Sequence, residues 1–297
     1  MTAAPLPVAN VLSIAGVDPS GGAGLLADLK TFTALGTFGC GVVTALTAQN
    51  TRGVTAIERP SPAFVRTQLT TLFADVPIAA AKTGMLGEAA VAEVVADVLS
   101  QLIAEWPLPL VVDPVMVATS GDPLLTADGV TTLCERLLPI ATVVTPNLPE
   151  AAALTGQPLP KKVEEMRDLA AAVRALLPDQ PGRWVFLKGG HLPDGEPLCD
   201  IAFDGTSWLT FPATRRPFGM LHGTGCTLAA AIAALLGQWA LTVPRGTVLT
   251  PAAAQPLFAT AHRYLQAAIA AATRLSAGSG AKPLFHAVAQ RQLPYSS

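Results

Sequence analysis

Short apolar runs alternate with helix-forming stretches along most of this chain, and the unit recurs about every 30 residues. The strand-like runs are 11–15, 38–48, 78–82, 108–112, 142–145 and 184–187; the helical stretches between them are 25–35, 62–73, 88–103, 126–138 and 161–177. Strands separated by helices form βαβ units, and these close into a parallel sheet with helices on both faces. The runs 199–203 and 207–211 flank Asp204-Gly205-Thr206, a hairpin signal that adds antiparallel strands at one edge. Ala-rich helices from Thr224 and Pro251 complete the pattern. Nothing between Val11 and Leu275 reads as a linker. Residues 11–275 are therefore expected to form one domain, after a disordered lead (1–10) and before an irregular tail (276–297).

Composition removes several classes of function. The chain has 297 residues, 51% of them hydrophobic and 13% charged, and its net charge is −2. That balance gives no reason to expect nucleic acid or anionic membrane as a partner. Mean hydropathy is high at +0.45. However, the most apolar window, Leu228–Val243, contains Gly237 and Gln238, has no basic flanks and reads as a buried helix followed by a turn. The first ten residues lack the charged and apolar regions of a signal peptide. Cys40, Cys134, Cys199 and Cys226 are widely spaced and fit neither zinc nor a disulfide scaffold, so a reduced, cytoplasmic protein is expected.

The polar and glycine-rich clusters fall where strands end: Asp18–Gly24, Gln49-Asn50, Thr83-Gly84, Asp113, Asn147–Glu150 and Lys188–His191. In open parallel sheets, ligands collect at that rim. One further cluster, His222-Gly-Thr-Gly-Cys226, runs straight into an Ala/Leu helix, so Gly223, Thr224 and Gly225 present backbone N–H groups at a helix N-terminus. The same field favours a thiolate at Cys226. Asp113 and Glu150 are hard oxygen donors suited to Mg²⁺, and Lys188 is a point charge suited to phosphate. Together they suit phosphoryl transfer, which needs positioning and charge neutralisation. There is no GxxxxGK[ST], so this is not a P-loop enzyme.

From Val11 to Ala271 the chain resembles the ribokinase-like superfamily, and within it the hydroxymethylpyrimidine/phosphomethylpyrimidine kinases of thiamine biosynthesis. The resemblance rests on Ala15-Gly-Val-Asp-Pro-Ser-Gly-Gly-Ala-Gly24, Ala27-Asp-Leu-Lys-Thr-Phe32, Thr44-Ala-Leu-Thr-Ala-Gln-Asn-Thr51 and Lys82-Thr-Gly-Met-Leu86. It continues through Val112-Asp-Pro-Val-Met-Val117 with Ser120-Gly-Asp122, Thr145-Pro-Asn-Leu-Pro-Glu-Ala151, Lys188-Gly-Gly-His191 and His222-Gly-Thr-Gly-Cys-Thr227. It implies a three-layer αβα fold and ATP-dependent phosphorylation of 4-amino-5-hydroxymethyl-2-methylpyrimidine to the monophosphate and then the diphosphate. It also implies Mg²⁺ and a homodimer. By that resemblance Gly16, Ala23, Asp28, Gln49, Met85 and Val115 meet the pyrimidine. Asn147 and Glu150 match an NxxE element that positions Mg²⁺ and phosphates, and Asp113 lies near the metal. Lys188 and Thr224 contact the nucleotide, and Gly223, Thr224 and Gly225 form an anion hole. Most of the superfamily has Asp where this branch has Cys226, which serves as base or positioner. Met220-Leu221 stand where the family usually has Asn-Thr.

Two rival readings use the same residues. Some relatives with the same GTGC turn phosphorylate pyridoxal or pyridoxine, whose ring is similar in size. A reading from another class makes Cys226 and His222 a thiol nucleophile and base for acyl transfer, although the sequence offers no evident group to orient the histidine. A silent binding protein is a third, against which Glu150, Lys188 and Cys226 argue.

Overall fold

The computed structural model describes residues 7–117, 125–215, 219 and 221–289. Ser120-Gly-Asp122, Met220 and residues 1–6 of the lead lie outside that range. The sheet-forming strands are β1 (Asn10–Val17), β2 (Phe38–Asn50), β3 (Gly53–Glu58), β4 (Ala80–Thr83), β5 (Leu110–Val112), β6 (Val143–Val144), β7 (Trp184–Leu187), β8 (Cys199–Phe203) and β9 (Trp208–Pro212). Their order across the sheet is β3-β2-β1-β4-β5-β6-β7-β8-β9. The pairs from β2 through β7 are parallel, and β3, β8 and β9 are antiparallel. The antiparallel part therefore occupies both edges, not the one edge that the Asp204-Gly-Thr turn announces.

Successive residues of the inner strands face opposite helical layers, as the period of two requires. Leu12, Ile14, Val112, Val144 and Val185 pack with one buried cluster; Val11, Val111, Val143, Trp184 and Phe186 pack with the other. The first layer holds α2 (Pro62–Phe73), α3 (Ala89–Glu105), α4 (Ala127–Thr132), α5 (Leu148–Thr155) and α6 (Val163–Arg174). The second holds α1 (Gly24–Ala34), α7 (Thr224–Ala240) and α8 (Pro251–Ala270). Helix α7 runs on through Gly237, where a turn was expected. There it crosses β1 so closely that a Cβ would lie 2.8 Å from Val11 Cγ2. None of the described helices is long and apolar enough to cross a membrane.

Other departures from the sequence reading have local causes. The 126–138 stretch is a short α4 followed by a wide π turn and a 3₁₀ turn containing Pro139, which has no N–H to continue a helix. Helix α5 was not foreseen, yet Asn147 and Glu150 form a reciprocal capping box that starts it, and Gly156 in the left-handed region ends it. The segment after Leu275, read as irregular, contributes β11 (Lys282–Pro283), which pairs with β10 (Leu221–His222), and Leu284 is buried beside α8.

Candidate active site

Because the inner strands are parallel, their carboxyl ends share one rim. The order reverses at β1, which has β2 on one side and β4 on the other. A cavity of about 1090 Å³ opens along the rim from there. Gly16, Ala23, Gln49, Met85, Val115, Asp113, Asn147, Glu150, Lys188 and the whole Gly223–Cys226 turn line it. One expected residue does not. Asp28 is fully buried, and its Oδ2 accepts from Lys82 Nζ at 2.7 Å and Ser13 Oγ at 2.6 Å. It faces the interior because it lies one turn into α1, on the face packed against the sheet, so the structure does not bring it to the cavity wall with the other expected residues.

Three helices, α1, α5 and α7, present their N-termini to the cavity, and α1 and α7 do so without a side-chain cap. Gly223 caps α7 at φ 82°, and a Cβ there would run into the carbonyl oxygen of Gly22, so only glycine closes this turn. Gly225 faces the cavity, where a Cβ would lie 3.0 Å from Lys188 Nζ. Neither Gly223 nor Ala23, the cap of α1, supplies a side-chain acceptor for the free N–H groups behind it. The Gly24 amide of α1 donates to Cys226. This gives Cys226 a place between two positive helix ends, but burial dominates and pushes the thiol up to about 11, with Lys82 pulling the other way. Desolvation of this sulfur therefore opposes the thiolate that the helix field alone favours.

At the far side of the turn, Lys188 Nζ donates to Asp113 Oδ1 at 3.0 Å and lies 3.6 Å from Glu150 Oε2. Thr145 Oγ1 also donates to Asp113 Oδ1 at 3.0 Å. Burial works against the ammonium, yet Asp113 and then Glu150 outweigh it and hold Lys188 above its ordinary range. One ammonium does not neutralise two carboxylates. Asp113 has the nearer claim, while Glu150 is pushed up by burial and by the neighbouring Asp113 charge, with Lys188 working against that rise. Asp113 Oδ2 is buried without a partner. That orphaned oxygen and the surplus negative charge fit a divalent cation held by one or two carboxylates together with substrate phosphates, the usual mode for Mg²⁺. Among the described residues no cluster of three or more metal-type side chains occurs. Asn147 and Glu150 also hold each other: Glu150 N donates to Asn147 Oδ1 at 2.8 Å and Asn147 N to Glu150 Oε2 at 2.7 Å.

At the opposite end Gly16 and Met85 are in register: Gly16 N donates to Met85 O at 3.2 Å, and a Cβ on Gly16 would lie 2.5 Å from Met85 Cε. Gln49 Oε1 accepts from Thr47 Oγ1 at 3.0 Å. His222 Nε2 lies 2.8 Å from Asp18 Oδ2 and 3.4 Å from Gln49 Nε2. Burial tends to raise Asp18, but its bonds to His222 and Ser20 more than offset this and hold it below the usual carboxylate range. Asp18 was not singled out from the sequence, although it supplies the orienting group for His222 that seemed lacking. Its only signal was an Asp-Pro-Ser-Gly turn. Asp200, and Leu265, Gln266 and Ile269 of α8, also line the cavity without a local sequence signal.

Comparison with known proteins agrees with this geometry. The phosphomethylpyrimidine kinase family model matches residues 18–284. A hydroxymethylpyrimidine/phosphomethylpyrimidine kinase from Rhizobium meliloti is 46% identical over 94% of this chain and 97% of its own. The crystal structure of phosphomethylpyrimidine kinase from Clostridium difficile is 35% identical, with a TM-score of 0.71 over 88% of this chain and 99% of that one. Pyridoxal kinase from Staphylococcus aureus in complex with AMP-PCP and pyridoxal is 29% identical, with a TM-score of 0.76 over 95% and 94% of the two chains. The fold is ribokinase-like, the identity extends across nearly the whole chain, and the chain belongs to the phosphomethylpyrimidine kinase family.

Proposed function

We propose that this protein transfers the γ-phosphoryl group of ATP to 4-amino-5-hydroxymethyl-2-methylpyrimidine, and then a second one to the resulting monophosphate, in thiamine biosynthesis. The observation that carries this reading is the single cavity joining two kinds of wall. A glycine turn, Lys188 and two carboxylates line one part and suit a polyphosphate; Gly16, Gln49, Met85 and Val115 line another and suit a small flat ring. Gln49 offers both a donor and an acceptor to an aminopyrimidine edge.

In the first transfer the hydroxymethyl oxygen attacks the γ-phosphorus in line, and the bond to the β–γ bridging oxygen breaks, leaving its electron pair on ADP. The transition state is loose, so placement and charge stabilisation supply most of the acceleration. The Gly223–Gly225 N–H groups take the charge on the equatorial oxygens, with Lys188 beside them. Cys226, held as a neutral thiol, orients the hydroxyl, whose proton departs late, once its oxygen is bonded to phosphorus, passing to an oxygen of the transferred phosphoryl group and from there to water. Asp113 and Glu150 would hold Mg²⁺, which shields phosphate charge when bound. Asn147 caps α5 and thereby fixes Glu150. In solution we expect a cytoplasmic homodimer, measurable by sedimentation velocity.

The deciding experiment supplies ATP and Mg²⁺ with the hydroxymethylpyrimidine, pyridoxal or pyridoxine, and separates mono- and diphosphate products by chromatography. Both pyrimidine phosphates are expected. Phosphorylation of pyridoxal alone would replace this reading with the second one, which the likeness to the S. aureus enzyme favours.

A further inference from the structure

Lys188 reaches the cavity from the end of β7, and what fixes the peptide behind it lies on the neighbouring strand. A Cβ at Gly189 would collide with the carbonyl oxygen of Cys199 in β8, so the Lys188–Gly189 backbone is pressed flat against that strand. The next residue of β8, Asp200, accepts the Gly189 N–H on Oδ1 at 2.8 Å. Its Oδ2 faces His262 of α8, with 3.6 Å to Nε2, and both side chains are buried. His262 in turn lies against Phe211, which continues the wall from β9. A carboxylate with no full ion-pair partner is unusual inside a protein and needs a reason. Here the reason is the amide it holds.

We propose that Asp200 is a positioning residue for Lys188: its charge-assisted bond to the Gly189 N–H sets where the Lys188 ammonium stands over the nucleotide phosphates. The inference rests on the kinase reading above. Burial pushes the Asp200 carboxyl up to about 6, with the Gly189 bond and Lys188 opposing the rise. The bond therefore weakens as Asp200 takes up a proton, within a pH range that is easy to reach. The charged and titratable groups facing Asp200 are Lys188 past the end of β7, His262 on α8 and Cys199 beside it on β8; Glu164 of α6 reaches Cys199, and His191 stands next to Lys188.

The test is MgADP affinity by isothermal titration calorimetry on the folded wild type, Asp200→Asn, Lys188→Met and the double variant, between pH 5 and pH 8. Asp200→Asn keeps an acceptor for Gly189 but loses the charge, and should weaken MgADP binding at pH 8 by at least about threefold. In the Lys188→Met background the same change should have no effect within error, because its influence passes through Lys188. The ratio of Asp200→Asn to wild-type dissociation constants should fall towards one by pH 5, where the wild-type carboxyl is itself protonated. Taking the ratio cancels the ionisation of the nucleotide and of His191. Removing a negative charge from the wall would by itself tighten nucleotide binding. Tighter or unchanged binding in Asp200→Asn therefore overturns the proposal, as does equal weakening in the Lys188→Met background. The substrate panel reports separately on the kinase reading: no phosphorylated ring product from wild type would sink that reading whatever Asp200 does.

Discussion

Lys82 and Asp28 form an ion pair of 2.7 Å with neither side chain exposed to solvent. A charge removed from water costs several kcal/mol unless its partner is held in good geometry, so this pair is far more sensitive to losing one member than to losing both. Lys82→Met should destabilise the protein by about 3–5 kcal/mol at pH 7, and Lys82→Met/Asp28→Leu should recover most of that loss. The sign of the pH dependence follows. Burial already raises the Asp28 carboxyl, against the pull of Lys82, and without Lys82 it rises further. The variant's stability is then fully present below the unfolded carboxyl pKa of about 3.9 and is lost as pH rises through the folded value. Urea unfolding from pH 4 to pH 8 should show the gap to wild type widening upward. A constant gap would refute the account.

The two glycines of the α7 turn separate folding from catalysis. Gly223→Ala puts a side chain against Gly22 at a left-handed backbone position, and both stability and turnover should collapse. Gly225 is helical, so Gly225→Ala should leave thermal stability unchanged or slightly higher, alanine being about 1 kcal/mol the better helix former. Its methyl would nevertheless occupy the space beside Lys188, and kcat/KM should fall at least about tenfold. Wild-type activity in Gly225→Ala would remove the turn from the anion hole.

Cys226 should matter unequally to the two transfers. The second acceptor is a phosphate oxygen, with a second pKa near 6 and therefore already anionic at pH 8, and needs no hydroxyl oriented. Cys226→Ala should lower the first transfer by about a hundredfold and the second by less than about tenfold. Cys226→Ser, which also offers a neutral hydrogen-bonding group, should recover much of the first. Because the thiol is pushed up to about 11, alkylation of Cys226 by iodoacetamide, followed by mass spectrometry, should keep accelerating above pH 9. A plateau near pH 7 would make it a thiolate and return it to the role of base.

Glu150→Gln preserves an acceptor for the Asn147 N–H, so α5 should stay capped and stability should change by less than about 1 kcal/mol. Turnover should fall at least about tenfold and recover partly at high Mg²⁺. Unchanged turnover would reduce Glu150 to a helix cap.

Element types and the glycine positions were legible in the sequence because they are local. Strand runs show a preference for two buried faces, Gly223 shows a backbone angle, and Asn147 with Glu150 shows a cap. Parallel order then collects the carboxyl ends of the inner strands on one rim, which is why most of the residues singled out in the sequence line one cavity. What the tertiary structure decided was pairing and solvent access. Asp28 meets Lys82 across 54 positions, and Asp18 meets His222 across 204. Strand β11 returns to β10 from a tail with no periodicity of its own. The thiol of Cys226 lies at a helix end that favours its anion, yet burial pushes it up to about 11, with Lys82 from β4 opposing the rise and Asp28 from α1 adding to it. Local sequence sets the sign of a backbone field. Only the packed chain sets how much water is left to stabilise a charge within it.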